Sequence, residues 1–487
     1  MAARDLAAIA SFPRAHIAVV GDVMLDRTVT GDVHRVSPEA PIPVVRSRSQ
    51  VDTLGGAANV AHNVCRLGGR STLIGAIGAD EAAAAVATAI RSVPRLTPRL
   101  ATDVNRPTTL KTRVVAQGQQ LLRIDEETTG PFDDTIVAIL LEALDEALRS
   151  ASVVVLSDYA KGVLSPDVIQ RAIRSARARG RTVVVDPKHR DLSRYAGATV
   201  LTPNATEAAQ ATGIDCATDE AAEAAARLIR QQTGGSAVVI TRGARGMSIL
   251  VEDDAVHLPA IMRQVHDVTG AGDTAVATLA LAMAASVDIP DAARLANIAA
   301  GIAVGKRGTT VVDAGELVAA VQHAVPAHVE DKLVSTDLAI ALVSLWRSEG
   351  RRIVFTNGCF DLLHPGHIRL LQRAKSEGDV LVVAINTDAS VARLKGPGRP
   401  INSLAARACV LSALSVVDLV VPFDDDTPID LIEALRPDVL VKGSDYAPHQ
   451  VVGREVVEAA GGRLVLVPIE KGYSTTAAID RAMRGGG

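Results

Sequence analysis

The chain is poor in several residue types, and each shortage excludes some classes of protein. Aromatic residues make up only 2% of its 487 residues, so its cores have to be built mainly from alanine, valine, leucine and isoleucine. The four cysteines, Cys65, Cys216, Cys359 and Cys409, are scattered without the close spacing of a metal site or a disulfide framework. They fit a protein of the reducing cytosol.

The chain also lacks a basic block and a long apolar run. The net charge is −4, and because nucleic-acid backbones are bound by basic stripes, we expect no nucleic-acid partner. The most apolar stretch, residues 275–287, is shorter than a bilayer span, and the first residues have no apolar core of the signal-peptide kind. We therefore expect no membrane partner and a cytoplasmic enzyme.

A chain of this length exceeds one ordinary core, so we expect more than one domain. From residue 136 onward short apolar strands alternate with helical runs, which predicts a parallel sheet covered on both faces. Residues 32–54 and 107–125 instead read as strand pairs apart from that sheet. Together they predict a small β-lid, whose closure would exclude water from a site.

A polar stretch beginning at Pro326 predicts a domain boundary. We expect a first domain at 1–325, a linker with a leading helix at 326–350, and a second domain at 351–487. The second domain again alternates strands and helices, a pattern typical of a nucleotide-binding fold.

The strongest candidate site in the first domain is the turn Asp267-Val-Thr-Gly-Ala-Gly-Asp-Thr274, which opens a long helical run. Gly270, Ala271 and Gly272 can direct backbone N–H groups at an anion, and the helix start adds the positive end of its dipole. Asp273 places a carboxylate at the same point. Donors for a phosphoryl group beside a base for the attacking hydroxyl are what phosphoryl transfer needs. The alternative is a glycine turn with an aspartate helix cap.

Two acidic residues and a glycine pair indicate a ligand site near the first predicted strand. Asp22 and Asp26 follow that strand, where α/β sheets bind ligands. They could hold sugar hydroxyls, although turn residues of a βα loop fit as well. Gly55 and Gly56 open a helix and allow close approach of backbone to a ligand, with Asn59 in its first turn.

A further candidate, Asn204-Ala205-Thr206-Glu207, lies at the start of a predicted helix. Asn204 and Glu207 could face one ligand, and a carboxylate there suits a hydrated Mg²⁺, which takes few protein ligands. A capping box, with Asn204 as N-cap and Glu207 at the third helical position, explains the same spacing. Both interpretations are open from the sequence.

In the second domain, His364 and His367 lie three residues apart at a predicted helix start, so they share a face where an anion would sit. Imidazoles there can donate hydrogen bonds to phosphates as charge develops. Ordinary surface histidines are one alternative. A metal pair is the other, but no further ligand lies close by, and we expect no metal held directly by the protein as a structural site.

Two more segments offer groups for phosphates. Lys395 and Arg399 belong to a loop rich in glycine and proline and supply positive charge for a triphosphate or sugar phosphate, unless the loop is simply solvated. Ser474, Thr475 and Thr476 are hydroxyl residues at the start of the last predicted helix, where they would bind a phosphate or cap the helix.

These motifs occur in a recognisable order. The first-domain motifs resemble those of the ribokinase-like (pfkB) carbohydrate kinases, and residues from about 350 on are similar to the nucleotidyltransferases with a His-x-Gly-His signature. Their fusion, with the motifs at residues 157–162 and 201–204, closely resembles the bifunctional heptose enzymes of lipopolysaccharide precursor synthesis. The resemblance implies an α/β protein: a ribokinase-like three-layer sandwich with a small β-lid, followed by a Rossmann-like nucleotidyltransferase domain.

The resemblance also implies two reactions. The kinase half would phosphorylate D-glycero-β-D-manno-heptose 7-phosphate at O1, and the second half would join heptose 1-phosphate to AMP from ATP, giving ADP-heptose and pyrophosphate. ATP and heptose phosphates would be the ligands, Mg²⁺ would accompany ATP in both reactions, and the lid would form a homodimer. The alternative keeps this architecture with a different sugar or polyol phosphate, because no short motif fixes the sugar.

Roles follow from the resemblance for the motif positions. In the kinase half, Asp273 would be the base, and the remaining positions would form the anion hole (Gly270, Ala271, Gly272), the ATP and Mg²⁺ contacts (Asn204, Ala205, Thr206, Glu207) and the sugar site (Asp22, Asp26, Gly55, Gly56, Asn59). In the second half, His364 and His367 would stabilise the transition state at the α-phosphate. The nucleotide site would comprise Thr356, Asn357, Gly358, Phe360, Lys395, Arg399, Ser474, Thr475 and Thr476.

Overall fold

The computed structural model describes residues 2–261, 269–306, 311–324, 332–348, 350–396, 398–444 and 447–468. Its internal contacts divide the chain into two compact units, Ser11–Ala320, and Val321–Gly487 together with Met1–Ala10. The finer limits at 325 and 350 stay a prediction. Within the described residues, no helix is both long enough and apolar enough to cross a membrane.

The larger unit is built on a nine-stranded sheet of short, valine-rich strands. In spatial order these are β13 (Asp254–Leu258), β12 (Met247–Val251), β11 (Ala237–Thr241), β10 (Val200–Leu201), β9 (Thr182–Asp186), β8 (Val153–Ser157), β1 (His16–Gly21), β4 (Arg70–Ile77) and β5 (Leu96–Thr102). All neighbours from β11 to β5 are parallel, and β12 and β13 add an antiparallel hairpin at one edge. The predicted parallel sheet is confirmed.

Helices cover both faces of this sheet. In chain order, the helices of this part of the sequence are α1 (Ala2–Ser11), α2 (Ala57–Arg66), α3 (Glu81–Arg91), α4 (Asp134–Ala147), α5 (Pro166–Ala178), α6 (Ala205–Thr212), α7 (Asp219–Gln232), α8 (Ala271–Ala284), α9 (Ile289–Val304) and α10 (Ala314–Ala324). One core joins alternate strand residues such as Val154 and Leu156 to α4, α5 and α7. Because side chains alternate along a strand, α8, which contacts β8, β9 and β1, covers the opposite face. The result is a three-layer sandwich.

A separate four-stranded sheet forms the predicted lid. Its order is β3 (Pro43–Gly56), β2 (Val23–Val36), β6 (Thr109–Ala116) and β7 (Gln119–Glu126). This confirms that the two strand pairs lie apart from the main sheet and join each other. Since β2 begins directly after β1, Asp26 lies within a lid strand, and the reading of Asp26 as a turn residue is wrong.

The smaller unit holds a five-stranded parallel sheet. In spatial order its strands are β16 (Leu419–Phe423), β15 (Val380–Asn386), β14 (Ile353–Gly358), β17 (Val439–Gly443) and β18 (Arg463–Val467). Its helices are α11 (Thr336–Ser348), α12 (Pro365–Lys375), α13 (Asp388–Lys395), α14 (Leu404–Ser412), α15 (Ile429–Leu435) and α16 (Arg454–Ala459). The strand order reverses at β14, and doubly wound sheets bind ligands beyond the carboxyl ends of strands at such a reversal.

Candidate active sites

The side chain of Asp273 is held by two donors from distant parts of the larger unit. Its Oδ2 accepts a hydrogen bond from Asn59 Nδ2 at 2.6 Å, and its Oδ1 accepts one from the Tyr159 hydroxyl at 2.7 Å. Asn59 comes from α2, Tyr159 from the loop after β8, and Asp273 from the first turn of α8. The carboxylate is therefore fixed in one orientation, with only 7% of the residue exposed.

The surroundings make this carboxylate a stronger base than an ordinary aspartate. Burial raises the pKa of Asp273 to about 6, while the hydrogen bonds from Tyr159 and Asn59 act in the opposite direction. Burial, and then the negative charge of Asp273, raise the pKa of Tyr159 well above its usual value, so its hydroxyl stays protonated and donates. At neutral pH Asp273 is mostly ionised and suited to accept a proton.

A buried polar ladder fastens α2 to α8 behind the carboxylate. The Thr274 hydroxyl donates to Asn63 Oδ1 at 2.9 Å, and Asn63 Nδ2 donates to the Asn59 carbonyl oxygen at 2.9 Å. Asn59 and Asn63 lie one turn apart on the same face of α2, as residues four apart in a helix do. Sequence reasoning missed both Asn63 and Tyr159. The repeated asparagine four residues on was the signal available for Asn63.

The start of α8 has the form that an anion site requires. Gly270 precedes the helix with φ of 79°, a left-handed conformation that favours glycine. The first N–H groups of a helix have no partner inside it, so those of Ala271 and Gly272 are available to a ligand. Apart from the backbone of its own helix, a Cβ added at Gly272 would meet no atom of a described residue within 4 Å. Asp267 lies outside the described residues.

Asp22 fastens the loop that carries Tyr159. Its Oδ2 accepts the backbone N–H groups of Tyr159 (2.9 Å) and Lys161 (3.0 Å), and its Oδ1 accepts that of Val163 (3.1 Å). Burial raises the pKa of Asp22, and these three bonds oppose that shift. The carboxylate of Asp22 therefore fixes the backbone of this loop, and its contact with a sugar stays a prediction.

The paired glycines serve close packing against lid strand β2. A Cβ at Gly55 would lie 2.9 Å from Asp26 Oδ2, and one at Gly56, where φ is +56°, would lie 2.4 Å from the Asp22 carbonyl oxygen. Asp26 Oδ1 in turn accepts a hydrogen bond from Arg113 at 2.9 Å. The close backbone approach is thus made to the chain itself, and an approach to a ligand stays a prediction.

One cavity joins the Asp273 site to the motif at Asn204–Glu207. It has a volume of about 180 Å³, and its wall includes Asp186, Lys188, Asn204, Glu207 and Asp273. The two sequence motifs, which lie far apart in the chain, thus open into one space. That space is where a nucleotide and an acceptor hydroxyl could meet.

The capping interpretation of Asn204 and Glu207 is realised. Asn204 Oδ1 accepts the Glu207 backbone N–H at 2.9 Å, and Glu207 Oε2 accepts the Asn204 backbone N–H at 3.0 Å. Glu207 Oε1 accepts a hydrogen bond from Lys188 Nζ at 2.9 Å. Both residues still face the cavity, so the capping box positions them there, and their binding of ATP stays a prediction together with that of Ala205 and Thr206.

The cavity wall also has the chemistry that a nucleotide-bound Mg²⁺ requires. Burial, and then the negative charges of Glu207 and Asp273, raise the pKa of Asp186 well above its usual value. Nearby carboxylates that repel one another would be relieved by a divalent cation. Among the described residues no group of three or more His, Cys, Asp or Glu could hold a metal, so Mg²⁺ here would take most of its ligands from phosphates and water, as it commonly does.

In the smaller unit, unsatisfied polar atoms cluster where the strand order reverses. Thr356 Oγ1, Asn357 Oδ1 and His367 Nδ1 are buried, and no described residue makes a hydrogen bond to them. Buried polar atoms are normally paired, so several such atoms together indicate a ligand position. They lie at the end of β14 and the start of α12, which is where a doubly wound sheet binds its ligand.

The two histidines stack at the start of α12. Their ring centroids are 3.8 Å apart, and the Phe360 ring lies 5.2 Å from that of His367. A Cβ at Gly358 would lie 3.1 Å from the Phe360 ring, so glycine lets this aromatic ring reach the site. Burial, and then the charge of His364, lower the pKa of His367 to about 4, and burial also lowers that of His364. His367 is therefore neutral at pH 7 and donates from one ring nitrogen only.

Asp361 ties the predicted cationic loop to the site. Its carboxylate accepts hydrogen bonds from Arg399 Nε (2.6 Å) and from the backbone N–H groups of Ile401 (2.8 Å) and Asn402 (3.0 Å). Arg399 is thus paired rather than solvated. Lys395 is the last residue of α13, so its placement in a loop was wrong.

Arg407 is a second fastener that sequence reasoning missed. Its buried guanidinium donates to the Cys359 carbonyl oxygen at 2.7 Å and to Asp388 Oδ1 at 2.6 Å. It therefore links α13, α14 and the turn after β14. The hydroxyl residues Ser474, Thr475 and Thr476 lie outside the described residues.

Comparisons with known proteins agree with this two-part organisation. The sequence profile of the pfkB family carbohydrate kinases matches residues 14–314, and the cytidylyltransferase-like profile matches residues 355–480. The bifunctional protein HldE of Caulobacter sp. (strain K31) is 53% identical over 475 residues, which cover 97% of this chain and 96% of that protein. HldE of Azorhizobium caulinodans is 50% identical over 471 residues, covering 96% of this chain and 98% of that protein.

Solved structures resemble the larger unit. Escherichia coli phosphofructokinase-2 in complex with substrates and products superposes with a TM-score of 0.54 at 18% identity, covering 64% of this chain and 99% of that one. Arabidopsis thaliana ribokinase complexed with ribose and ATP gives 0.50 at 20% identity, covering 63% and 98%. At these identities the likeness concerns the fold, and it confirms the predicted ribokinase-like architecture.

Proposed function

Because the chain belongs to the family of the bifunctional HldE proteins, a carbohydrate kinase joined to a nucleotidyltransferase, we propose that its two halves act on one heptose. The kinase, residues 1–325, phosphorylates D-glycero-β-D-manno-heptose 7-phosphate at O1 to the 1,7-bisphosphate. The transferase, residues 351–487, moves AMP from ATP to D-glycero-β-D-manno-heptose 1-phosphate, giving ADP-heptose and pyrophosphate. Since both reactions consume ATP, we expect them to run in the cytoplasm.

In the kinase, the buried Asp273 at the start of α8 carries the proposal. Its carboxylate takes the proton of the O1 hydroxyl while O1 bonds to the γ-phosphorus and the bond from that phosphorus to ADP breaks. Tyr159 and Asn59 hold the carboxylate in line, as their bonds of 2.7 and 2.6 Å indicate. The N–H groups at the start of α8 receive the charge that develops on the phosphoryl oxygens.

Asp186 and Glu207 are the carboxylates that would hold a Mg²⁺ bound with ATP, which neutralises charge on the phosphates. Lys188, which pairs with Glu207 at 2.9 Å in the wall of the same cavity, would supply positive charge to the phosphates of ATP. The sugar is proposed to lie against the lid side, near Asp22, Asp26, Gly55, Gly56 and Asn59.

In the transferase, the unsatisfied atoms of Thr356, Asn357 and His367 support a nucleotide beyond β14. An oxygen of the sugar 1-phosphate attacks the α-phosphorus of ATP. The bond between that phosphorus and the pyrophosphate breaks, and pyrophosphate leaves with its electron pair. His364 and His367 donate hydrogen bonds to the phosphate oxygens as their charge grows. The attacking phosphate is already anionic at neutral pH, so no general base is needed.

We also propose that the lid forms a homodimer. Several large apolar side chains are exposed on it, among them Val36 (63%), Ile42 (57%), Val51 (57%) and Ile124 (50%). Exposed apolar groups concentrated on one element are typical of an interaction surface. Sedimentation velocity tests this: Ile124→Asp should shift the chain to a monomer, and a wild-type chain that is already monomeric would contradict the proposal.

The two activities can be tested with the purified full-length chain. With heptose 7-phosphate, ATP and Mg²⁺ we expect ADP and a bisphosphate, and after a phosphatase removes the 7-phosphate we expect pyrophosphate and ADP-heptose. ADP without pyrophosphate would sink the transferase assignment. If neither product forms while another sugar or polyol phosphate is turned over, the heptose assignment is wrong and the alternative substrate stands.

A further inference from the structure

Lid strand β6 carries a lysine that the mechanism above does not use. Lys111 is half-buried, and within the described part of the chain its ammonium has neither an ion-pair partner nor a hydrogen-bond acceptor. Holding a charged ammonium partly out of water without a partner costs free energy. Groups kept at such a cost are concentrated at functional sites.

The strand register shows which way Lys111 faces. It lies directly opposite Asp26 on β2 and Asp125 on β7, so the three share one face of the lid. The negative charge of Asp26 contributes to the raised pKa of Asp273. Asp26 Oδ2 would also lie 2.9 Å from a Cβ at Gly55, four residues before the Asn59 that donates to Asp273. The face that carries Asp26 is therefore near Asp273, and Lys111 lies on the next strand of the lid.

The ion pairs around Lys111 leave its ammonium without a direct partner among the described residues. Its charged neighbours form ion pairs among themselves: Arg113–Asp26 at 2.9 Å, Lys161–Glu127 at 2.6 Å and Arg123–Asp125 at 2.8 Å. Burial, and then the positive charge of Lys161, lower the pKa of Lys111. The negative charges of Asp125 and Glu127 act in the opposite direction, but neither carboxylate forms an ion pair with Lys111. An anion placed here would therefore give the ammonium the direct partner that it lacks among the described residues.

We propose that Lys111, flanked by Arg113 and Lys161, binds the phosphate that the sugar substrate carries at its far end from the reacting hydroxyl. The inference rests on the proposed kinase function and names the subsite that makes it select sugar phosphates over free sugars. Because Lys111 belongs to the lid, the non-reacting phosphate would also draw the lid onto the sugar, so binding energy remote from O1 serves the reaction.

Kinetics of the full-length chain test the assignment. For Lys111→Gln we expect KM for heptose 7-phosphate to rise about 10- to 100-fold, since a charge-assisted hydrogen bond is lost. KM for ATP and the adenylyl transfer of the same chain should not change, which also reports that the variant is folded. Lys111→Arg should restore most of the affinity. Arg70→Gln, which removes an exposed cation at the start of β4, is the matched control and should leave KM as it was.

A pair of unreactive ligands separates a phosphate contact from a hydroxyl contact. The 1,5-anhydroheptitol and its 7-phosphate lack the reacting hydroxyl, and calorimetry with a non-hydrolysable ATP analogue gives their Kd values. In Lys111→Gln the Kd of the phosphorylated ligand should rise about 10-fold or more, while the Kd of the unphosphorylated ligand should not change. Equal weakening of both, or no weakening, overturns the subsite.

The same experiment distinguishes this failure from that of the proposed function. Wild-type chain that neither binds nor phosphorylates heptose 7-phosphate contradicts the heptose kinase itself. Wild-type chain that is active, with Lys111→Gln unchanged, overturns the subsite alone.

Discussion

Replacing Tyr159 by phenylalanine should shift the pH dependence of the kinase. The hydroxyl donates to Asp273 Oδ1 at 2.7 Å and so stabilises the ionised carboxylate. Without it the carboxylate is harder to ionise, and its pKa rises from about 6 to a higher value. If Asp273 is the base, as proposed, the acid limb of kcat/KM follows its ionisation and must move to higher pH.

The size of the shift follows from the strength of the bond. A hydrogen bond to a charged group contributes about 1.5–3 kcal/mol, which at 1.36 kcal/mol per unit raises the pKa by about 1–2 units, to about 7–8. At pH 7 the ionised fraction then falls from about 90% to about 10–50%, so kcat/KM drops about 2- to 10-fold. Above pH 9 the two enzymes should converge.

The assay is kcat/KM for heptose 7-phosphate measured between pH 5 and 10 for both enzymes, so that the titrations of the substrates cancel. Tyr195→Phe is the matched control, because Tyr195 donates to Asp158 at 2.6 Å in a similar buried pair that leaves Asp273 untouched. Its acid limb should stay in place. A Tyr159→Phe profile that is lower at every pH but not shifted would refute the reasoning.

Other substitutions test the two sites and their fasteners. Asp273→Asn should abolish phosphorylation and spare adenylyl transfer. The pKa of Asp273 is about 6 in the folded chain, against about 3.9 for an ordinary aspartate, so above pH 6 its ionisation destabilises the fold by about 2–3 kcal/mol. Asp273→Asn should remove this cost and raise the calorimetric Tm. The increase in Tm should disappear as pH falls toward 4. His367→Ala should abolish adenylyl transfer and spare phosphorylation, and the control His449→Ala, at an exposed histidine, should keep both activities. Loss of both activities in Asp273→Asn or in His367→Ala would contradict two independent sites. Asp361→Asn should lower the free energy of unfolding of the smaller unit in urea by about 1–3 kcal/mol. Burial raises the pKa of Asp361, but the Asn402 N–H and Arg399 outweigh burial and hold the pKa below its ordinary value. The loss of stability should therefore shrink as pH falls through that lowered pKa.

Those parts of the fold that depend on local sequence patterns could be predicted from the sequence. The alternation of strands and helices predicted the parallel sheets, and the strand pairs at 32–54 and 107–125 predicted the lid. Short elements give a weaker signal: α13, whose last residue Lys395 was assigned to a loop, has only eight residues before Gly396, and β10 comprises only Val200–Leu201. At that length the periodic signal is too weak to separate a helix or strand from a loop.

The candidate sites divide in the same way. Asp273 and the two histidines could be found because glycine or proline beside them indicates a helix start. Tyr159 could not, because its partner lies 114 residues away, and the Asn59 that holds Asp273 lies 214 residues from it. Asp22 carries the same lesson: its acidic character suggested a ligand, but its donors begin 137 positions later and are backbone groups that no side-chain pattern reveals.

The clamp made by Asp22 has a consequence for biosynthesis. Asp22 after β1, Asn59 on α2 and Tyr159 after β8 must all be in place before the carboxylate of Asp273 has its orientation. Tyr159 lies more than a hundred positions from both Asp22 and Asp273. Contacts of such long range form late, since the intervening chain has to be ordered first. A nascent chain therefore has no phosphoryl-transfer activity until α8 has left the ribosome and docked. On heating, the kinase should lose activity together with its core rather than ahead of it.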